Sequence, residues 1–266
     1  MAIQIQLDPV TAPRSDAATD ALSRAVTLPK ARIGLMIPSS NRMSEPQFQH
    51  LAPVGLGVHV TRLQMTGPWK KPLSALMGDI ARAASSLADS KVDLIVFHCT
   101  GTSMEDGPEG DQAITEMITR ETGTPALSTG QAVVAALRAL ALKRLVIVSP
   151  YRQEVNDHER DYLTALGFEV LHDFALGLTG GNDYIQVPPE RWIEIVTTNT
   201  RPNADGYFLS CTNTTQIGAI APLEAALGKP MVNSNQATIW ACWKRLAGKL
   251  GPVQPNEALG RLFSVS

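Results

Sequence analysis

The chain of 266 residues has little cysteine, no block of one charge and no long apolar run. Its three cysteines, Cys99, Cys211 and Cys242, are too few and odd in number for a disulfide framework, which fits a reducing, cytoplasmic setting. Lys and Arg total 23 against 25 Asp and Glu, a formal charge of −2, so neither a nucleic-acid nor a membrane partner is expected. No apolar run approaches the length of a membrane span, and residues 1–30 lack the charged start and apolar core of a secretory signal. Several chemical signatures are missing as well. Without C-x-x-C or H-x-x-x-H spacing no zinc site is expected. Without G-x-G-x-x-G after the first strand, or G-x-x-x-x-G-K-[ST], no nucleotide site is expected. Ser39, Ser103 and Ser210 lie in no G-x-S-x-G elbow, which argues against a serine hydrolase.

What is present is an ordinary globular composition, 44% hydrophobic and 18% charged, in a chain long enough to bury a core without covalent staples. Residues 1–30 mix Pro, Asp, Thr and Ala and read as an extension with a short helix around Asp16–Val26. Arg32–Pro38 is a continuous apolar run of the kind that forms a strand buried on both faces. A helix opens at Ser44, read as its cap, with Pro46 in its first turn. A strand over Gly55–Met65, a helix over Pro72–Ala88 and an apolar strand over Asp93–Thr100 follow. Then come a Gly-rich loop from Gly101 to Gly110, a helix over Asp111–Arg120, a short strand at Thr124–Ser128 and an apolar helix over Gln131–Leu142.

The pattern then restarts. Arg144–Pro150 answers Arg32–Pro38, and Asp205–Thr212 answers Asp93–Thr100, each pair offset by 112 residues. Between them lie a helix over Arg152–Leu166, a strand over Gly167–Phe174, a loop over Gly177–Asp183 and a helix over Pro189–Thr200. A helix over Thr214–Leu227, a strand entry at Gly228-Lys-Pro that answers Gly123-Thr-Pro, and a last helix over Gln236–Leu250 complete the unit. Duplicated strand–helix alternation predicts an α/β fold of two pseudo-symmetric parallel-sheet halves with the active site between them. The expected divisions are 1–30, 31–142, 143–250 and a C-terminal tail, 251–266. The last helix of each half is expected to cross onto the other.

Ligands of open parallel sheets bind beyond the carboxyl ends of the strands. Pro38-Ser-Ser-Asn41, Cys99-Thr-Gly-Thr-Ser103, Ser149-Pro-Tyr151 and Cys211-Thr-Asn-Thr-Thr215 all fall there. Helix N-termini at such ends bind carboxylates and lower a thiol pKa. One strand-end cysteine alone is more often an inert core residue. Two at equivalent positions of a repeat, Cys99 and Cys211, can stand on either side of a small carbon acid, one thiolate attacking or taking a proton and the other thiol delivering one. No metal or organic cofactor is then required. Cys242 reads as packing. His98 either tunes Cys99 or points to the opposite face of the strand.

These segments, with Glu154-Val-Asn156 and Ser234-Asn-Gln-Ala237, resemble the aspartate/glutamate racemase superfamily, and within it the maleate isomerase and arylmalonate decarboxylase group, over about residues 31–250. A likeness to maleate isomerase implies that Cys99 adds to the alkene of a cis-enedioate and that Cys211 is the acid/base partner. It also implies that Asn41, Tyr151 and Asn182 hold carboxylates. Ser39, Asn156, Thr212 and Asn213 complete the strand-end set. Two departures stand out. Arg42-Met-Ser-Glu45 replaces Thr-Thr-Met-Glu, and Thr100-Gly-Thr-Ser103 replaces an apolar segment. The Gly-Thr-Ser run looks more like arylmalonate decarboxylase, whose hydroxyls form a carboxylate pocket. Thr102, Ser103 and Tyr151, or Thr100 and Gly101 when counted from the strand, would serve here. That decarboxylase has only the second cysteine. The resemblance therefore implies a cofactor-independent isomerase of a small dicarboxylate. The alternatives are a malonate-decarboxylating lyase, an amino-acid or hydantoin racemase, or a non-catalytic sensor of small acids. It also carries the expectation of a homo-oligomer. Cavity size is expected to depend on Leu63, Trp69, Met104 and Leu178.

Overall fold

The computed structural model describes residues 27–265; the helix expected around Asp16–Val26 lies outside them. Among the described residues, eight strands form two four-stranded parallel sheets. The first has the order β2-β1-β3-β4, from β1 (Ala31–Pro38), β2 (Leu56–Leu63), β3 (Leu94–Phe97) and β4 (Ala126–Ser128). The second repeats it as β6-β5-β7-β8, from β5 (Arg144–Ser149), β6 (Glu169–Ala175), β7 (Gly206–Leu209) and β8 (Met231–Asn233). The register repeats too: Met36 pairs with Phe97 and Val148 with Leu209, each residue of the second pair 112 positions after its counterpart.

Continuous apolar runs make sense because both faces of each central strand are covered. Ile33, Leu35, Leu94 and Val96 point into a core they share with Leu145, Ile147 and Phe208 of the other sheet. The alternate residues Met36, Ile95 and Phe97, and on the other side Val146, Val148 and Leu209, pack under each sheet's outer helices. The shared core is filled by α5 (Thr129–Ala139) and α10 (Ser234–Arg245), which pack on each other. α5 also touches β8, and α10 touches α1 (Ser44–Leu51), so each reaches into the opposite half. Leu259, Leu262 and Phe263 bury their side chains in the same core, and Leu259 O accepts from Gln236 Nε2 at 2.6 Å.

The repeated aspartates close the starts of the central strands. Asp93 accepts from Arg32 N at 2.9 Å and from Lys249 Nζ at 2.7 Å. Asp205 accepts from Arg144 N at 2.8 Å and from the Arg144 guanidinium at 2.8 Å. Each phrase thus begins in a structural carboxylate and ends in a thiol.

Four readings are corrected. Gly101–Gly110 is not a loop: α3 (Thr100–Glu105) and α4 (Gly107–Thr122) follow one another directly, divided at Gly107, whose φ is +71°. Gly101 is there for contact; a β-carbon on it would stand 3.3 Å from Val155. Ser44 does not cap α1. Met43 stands at the cap position without a side-chain bond, and Asn41 ties the entry to the helix, its Oδ1 accepting from Met43 N at 3.0 Å and Ser44 N at 2.9 Å. The expected helix from Thr214 starts as a 3-10 turn at Gln216–Ala219 before α9 (Ile220–Leu227), and the loop before Asp183 carries a single helical turn, α7 (Gly181–Tyr184). No helix among the described residues is long and apolar enough to cross a membrane.

Candidate active site

Cys99 lies two residues beyond β3 and Cys211 two residues beyond β7. Both line one cavity of about 810 Å³ at the carboxyl ends of the two sheets. Ser39, Asn41, Gly101, Thr102, Tyr151, Asn182, Thr212 and Asn213 line it with them, and so do Trp69 and Leu178. Leu63 and Met104 belong instead to the buried apolar clusters.

Thr100, Ser103 and Asn156 do not line this cavity. Thr100 Oγ1 turns to Ser234 Oγ at 2.9 Å, and Ser103 Oγ lies 2.9 Å from Thr100 O and 3.1 Å from Gly130 N. Both hydroxyls pin α3 beneath the site. Asn156 is fully buried with its Oδ1 on Ser149 Oγ. Of the hydroxyls expected for a decarboxylase-like pocket, Thr102 and Tyr151 reach the cavity.

The two thiols differ although their sequences match. Cys99 is in extended backbone, φ −149°, immediately before α3, and is partly exposed. Its Sγ lies 3.4 Å from Thr102 Oγ1. Cys211 is 3% exposed and has φ +111°, a strained value for a side-chain-bearing residue. Ser234 Oγ accepts from Cys211 N at 3.1 Å, and Asn213 N donates to Cys211 Sγ at 3.3 Å, so the turn is held from both sides.

Burial pushes both thiols up, Cys211 to about 12, outweighing the helix-end effect expected to lower them. Hydrogen bonds from Thr102 to Cys99, and from Tyr151 and Asn213 to Cys211, act in the lowering direction. A Cys99 thiolate would raise Cys211 further, as like charges sharing one small site do. Burial raises the Tyr151 hydroxyl well above its usual value. Its ring stacks edge-on with Tyr184 at 5.6 Å.

Asparagines join the two halves across the cavity. Asn41 Nδ2 donates to Thr212 Oγ1 at 3.1 Å and Thr212 O at 3.3 Å. Arg42 N donates to Asn213 Oδ1 at 2.9 Å, and its guanidinium to Asn182 Oδ1 at 2.7 Å. Asn213 Nδ2 reaches Gly181 O at 3.0 Å. His98 faces away from this chemistry, its ring between Thr129 Oγ1 at 2.9 Å and Asn235 Oδ1 at 2.7 Å. Burial lowers it to about 4 and keeps it neutral.

Sequence reading missed Arg42, Tyr184, Ser234 and Glu159. Glu159 is fully buried and accepts from Ser210 Oγ at 2.6 Å. Only the Ser234-Asn-Gln phrase signalled one of them. Cys242 sits in the inter-sheet core. Among the described residues no three His, Cys, Asp or Glu side chains gather as a metal-holding group.

The family model described as arylmalonate decarboxylase matches residues 33–263. The chain is 29% identical to a maleate isomerase of Pseudomonas putida over 88% of its length and 97% of the relative's. It is 25% identical to the arylmalonate decarboxylase of Bordetella bronchiseptica over 88% and 97%. A cysteine-to-alanine variant of the maleate isomerase from Pseudomonas putida S16, solved with maleate, superposes with a TM-score of 0.81 at 25% identity, covering 89% of this chain and 98% of that one.

Proposed function

The chain belongs to the arylmalonate decarboxylase family, and on that premise we propose that it is a cofactor-independent, cysteine-dependent isomerase acting on a small cis-dicarboxylate such as maleate. The observation that carries this reading is the presence of two strand-end thiols, unlike in exposure, on one cavity. Relatives named maleate isomerase at 27% and 29% identity support it.

The more accessible Cys99 is the nucleophile. Its thiolate forms a C–S bond to one alkene carbon, and the π pair moves to the neighbouring carbon, where the adjacent carboxylate spreads the charge. Buried Cys211, with Tyr151 beside it, gives that carbon a proton. The former double bond is now single and rotates. Cys211 thiolate then takes a proton back, the C–S bond breaks toward sulfur, and the trans acid leaves. Attack and protonation by groups fixed on either side of the reactant convert two encounters into unimolecular steps. Asn41, Thr212, Asn213 and Asn182 hold the carboxylates, with Ser39, Gly101 and Thr102 completing the wall.

The thiol pair argues against a binding-only role, since recognition of an acid needs no matched thiols. The test follows products by NMR with maleate and, separately, phenylmalonate. Fumarate formation lost in both Cys99→Ala and Cys211→Ala supports the isomerase. Phenylmalonate turnover that survives Cys99→Ala but not Cys211→Ala would instead establish the lyase.

A further inference from the structure

Glu159 is a buried acid with no cation paired to it among the described residues. It lies on α6 (Gln153–Ala165), its Oε1 accepts from Ser210 Oγ at 2.6 Å, and its Oε2 has no hydrogen-bond partner among the described residues. Ser210 directly precedes Cys211 and donates its own N–H to Val148 O at 2.9 Å. A charge on Glu159 would oppose ionisation of Cys99, Cys211 and Tyr151 alike. The position 112 residues earlier is Gln47, also buried but unable to ionise; its Nε2 donates to Thr214 O at 2.8 Å. The repeat thus places a neutral amide behind one half of the site and a carboxyl behind the other.

We propose that Glu159 is a positioning residue for the thiol pair, anchoring the Cys211 turn through Ser210 and holding both thiols protonated once its own carboxyl ionises. The physical cause is additive charge. A dianionic substrate and a thiolate already share the cavity, and a second buried carboxylate would raise both thiols and repel the substrate. Burial raises Glu159 to about 8, and the Ser210 bond is the opposing, lowering influence.

Other ionisable groups come from every element packed on α6. They are Cys99 and Glu105 flanking or within α3, Asp111 in α4 with Tyr162 donating to it at 2.7 Å, Tyr151 after β5, Asp173 in β6 paired with Arg160, and Cys211 after β7. Asp111 is raised to about 6, well below Glu159. No basic group enters among the causes of the Glu159 shift.

The experiment measures Cys99 alkylation by iodoacetamide against pH in the full chain, located by mass spectrometry, for the wild type, Glu159→Gln and Ser210→Ala. The inference rests on the isomerase reading only for its link to turnover; alkylation reports the thiol whatever the substrate, so the two can fail separately. Glu159→Gln is expected to bring the Cys99 titration to lower pH by about half a unit or more. Ser210→Ala removes the lowering bond, so Glu159 ionises at higher pH and the Cys99 titration moves in the same direction as in Glu159→Gln. With maleate, wild-type kcat/KM is expected to fall about tenfold from about pH 7 to about pH 9, and that of Glu159→Gln less than about twofold. An unchanged Cys99 titration in Glu159→Gln would overturn the proposal. So would an unchanged Cys99 titration in Ser210→Ala. If Glu159→Gln does not fold, the Ser210→Ala arm decides alone.

Discussion

At the scale of single residues, sequence identity conceals different chemistry. Cys99 and Cys211 end the same phrase, yet one opens a helix from extended backbone and the other sits in a turn at φ +111°. The cysteine pair was legible because it repeats. The strain at Cys211 was not, because it depends on Ser234 and on Asn213, bonds that no local pattern encodes. Tyr151 is expected to act through Cys211. Tyr151→Phe removes a hydrogen bond to the thiol and should lower kcat about tenfold with a smaller change in KM, as read by steady-state kinetics. Asn41 has two duties, tying the entry to α1 through Met43 N and Ser44 N and bonding Thr212. Asn41→Ala should therefore raise KM and also cost roughly 1 kcal/mol of stability, measured by denaturant unfolding. Thr100, Ser103 and Asn156 were expected to touch substrate because their residue types suit it. A helical turn at Thr100 sends the first two side chains downward instead.

At the scale of elements, hydrophobic periodicity carried most of the fold. Continuous runs at Arg32–Pro38 and Arg144–Pro150 announced strands covered on both faces, and Ile33 and Met36 do enter different clusters. Glycine misled the reading of Gly101–Gly110, because close approach to a neighbouring helix and loop formation draw on the same residue. The aspartates opening β3 and β7 act at the far end of their strands from the thiols. Burial is the largest influence on Asp93 and opposes the net lowering, which comes from Lys249 and Arg32; Asp205 is lowered to about 2 chiefly by Arg144. A lowered folded-state value means stability that is present above the unfolded value near 3.9 and lost as pH falls through the folded one. Asp205→Asn should thus reduce the melting temperature at neutral pH and flatten its acid decline, with kcat unchanged. Phe263, 1% exposed in the shared core, makes the C-terminal turns part of the fold. Phe263→Ala is expected to cost about 3 kcal/mol or more by denaturant unfolding.

At the scale of the whole molecule, buried ionisable groups set opposing pH limits on stability. His98, lowered to about 4 by burial, contributes stability present above the unfolded value near 6.5 and lost as pH falls through 4. Asp111 and Glu159, raised to about 6 and about 8 by burial, contribute stability fully present below the unfolded values near 4 and lost as pH rises through 6 and 8. The melting temperature of Glu159→Gln should therefore exceed that of the wild type by a margin that widens from about pH 5 to about pH 8. A constant margin across that range would contradict the assignment of Glu159 as the uncharged acid.

The repeated sheet order has a further consequence. Two half-chains meeting as an isologous dimer would be bound by symmetry to place the same residue on both sides of the site. Joined in one polypeptide, the halves escape that rule. Ser39 stands opposite Tyr151, Gln47 opposite Glu159 and His98 opposite Ser210, each pair separated by the repeat of 112 residues. Covalent fusion of a near-symmetric pair thus lets one thiol be the accessible partner and the other the enclosed one. A reaction that adds at one face and returns a proton at the other needs that inequality.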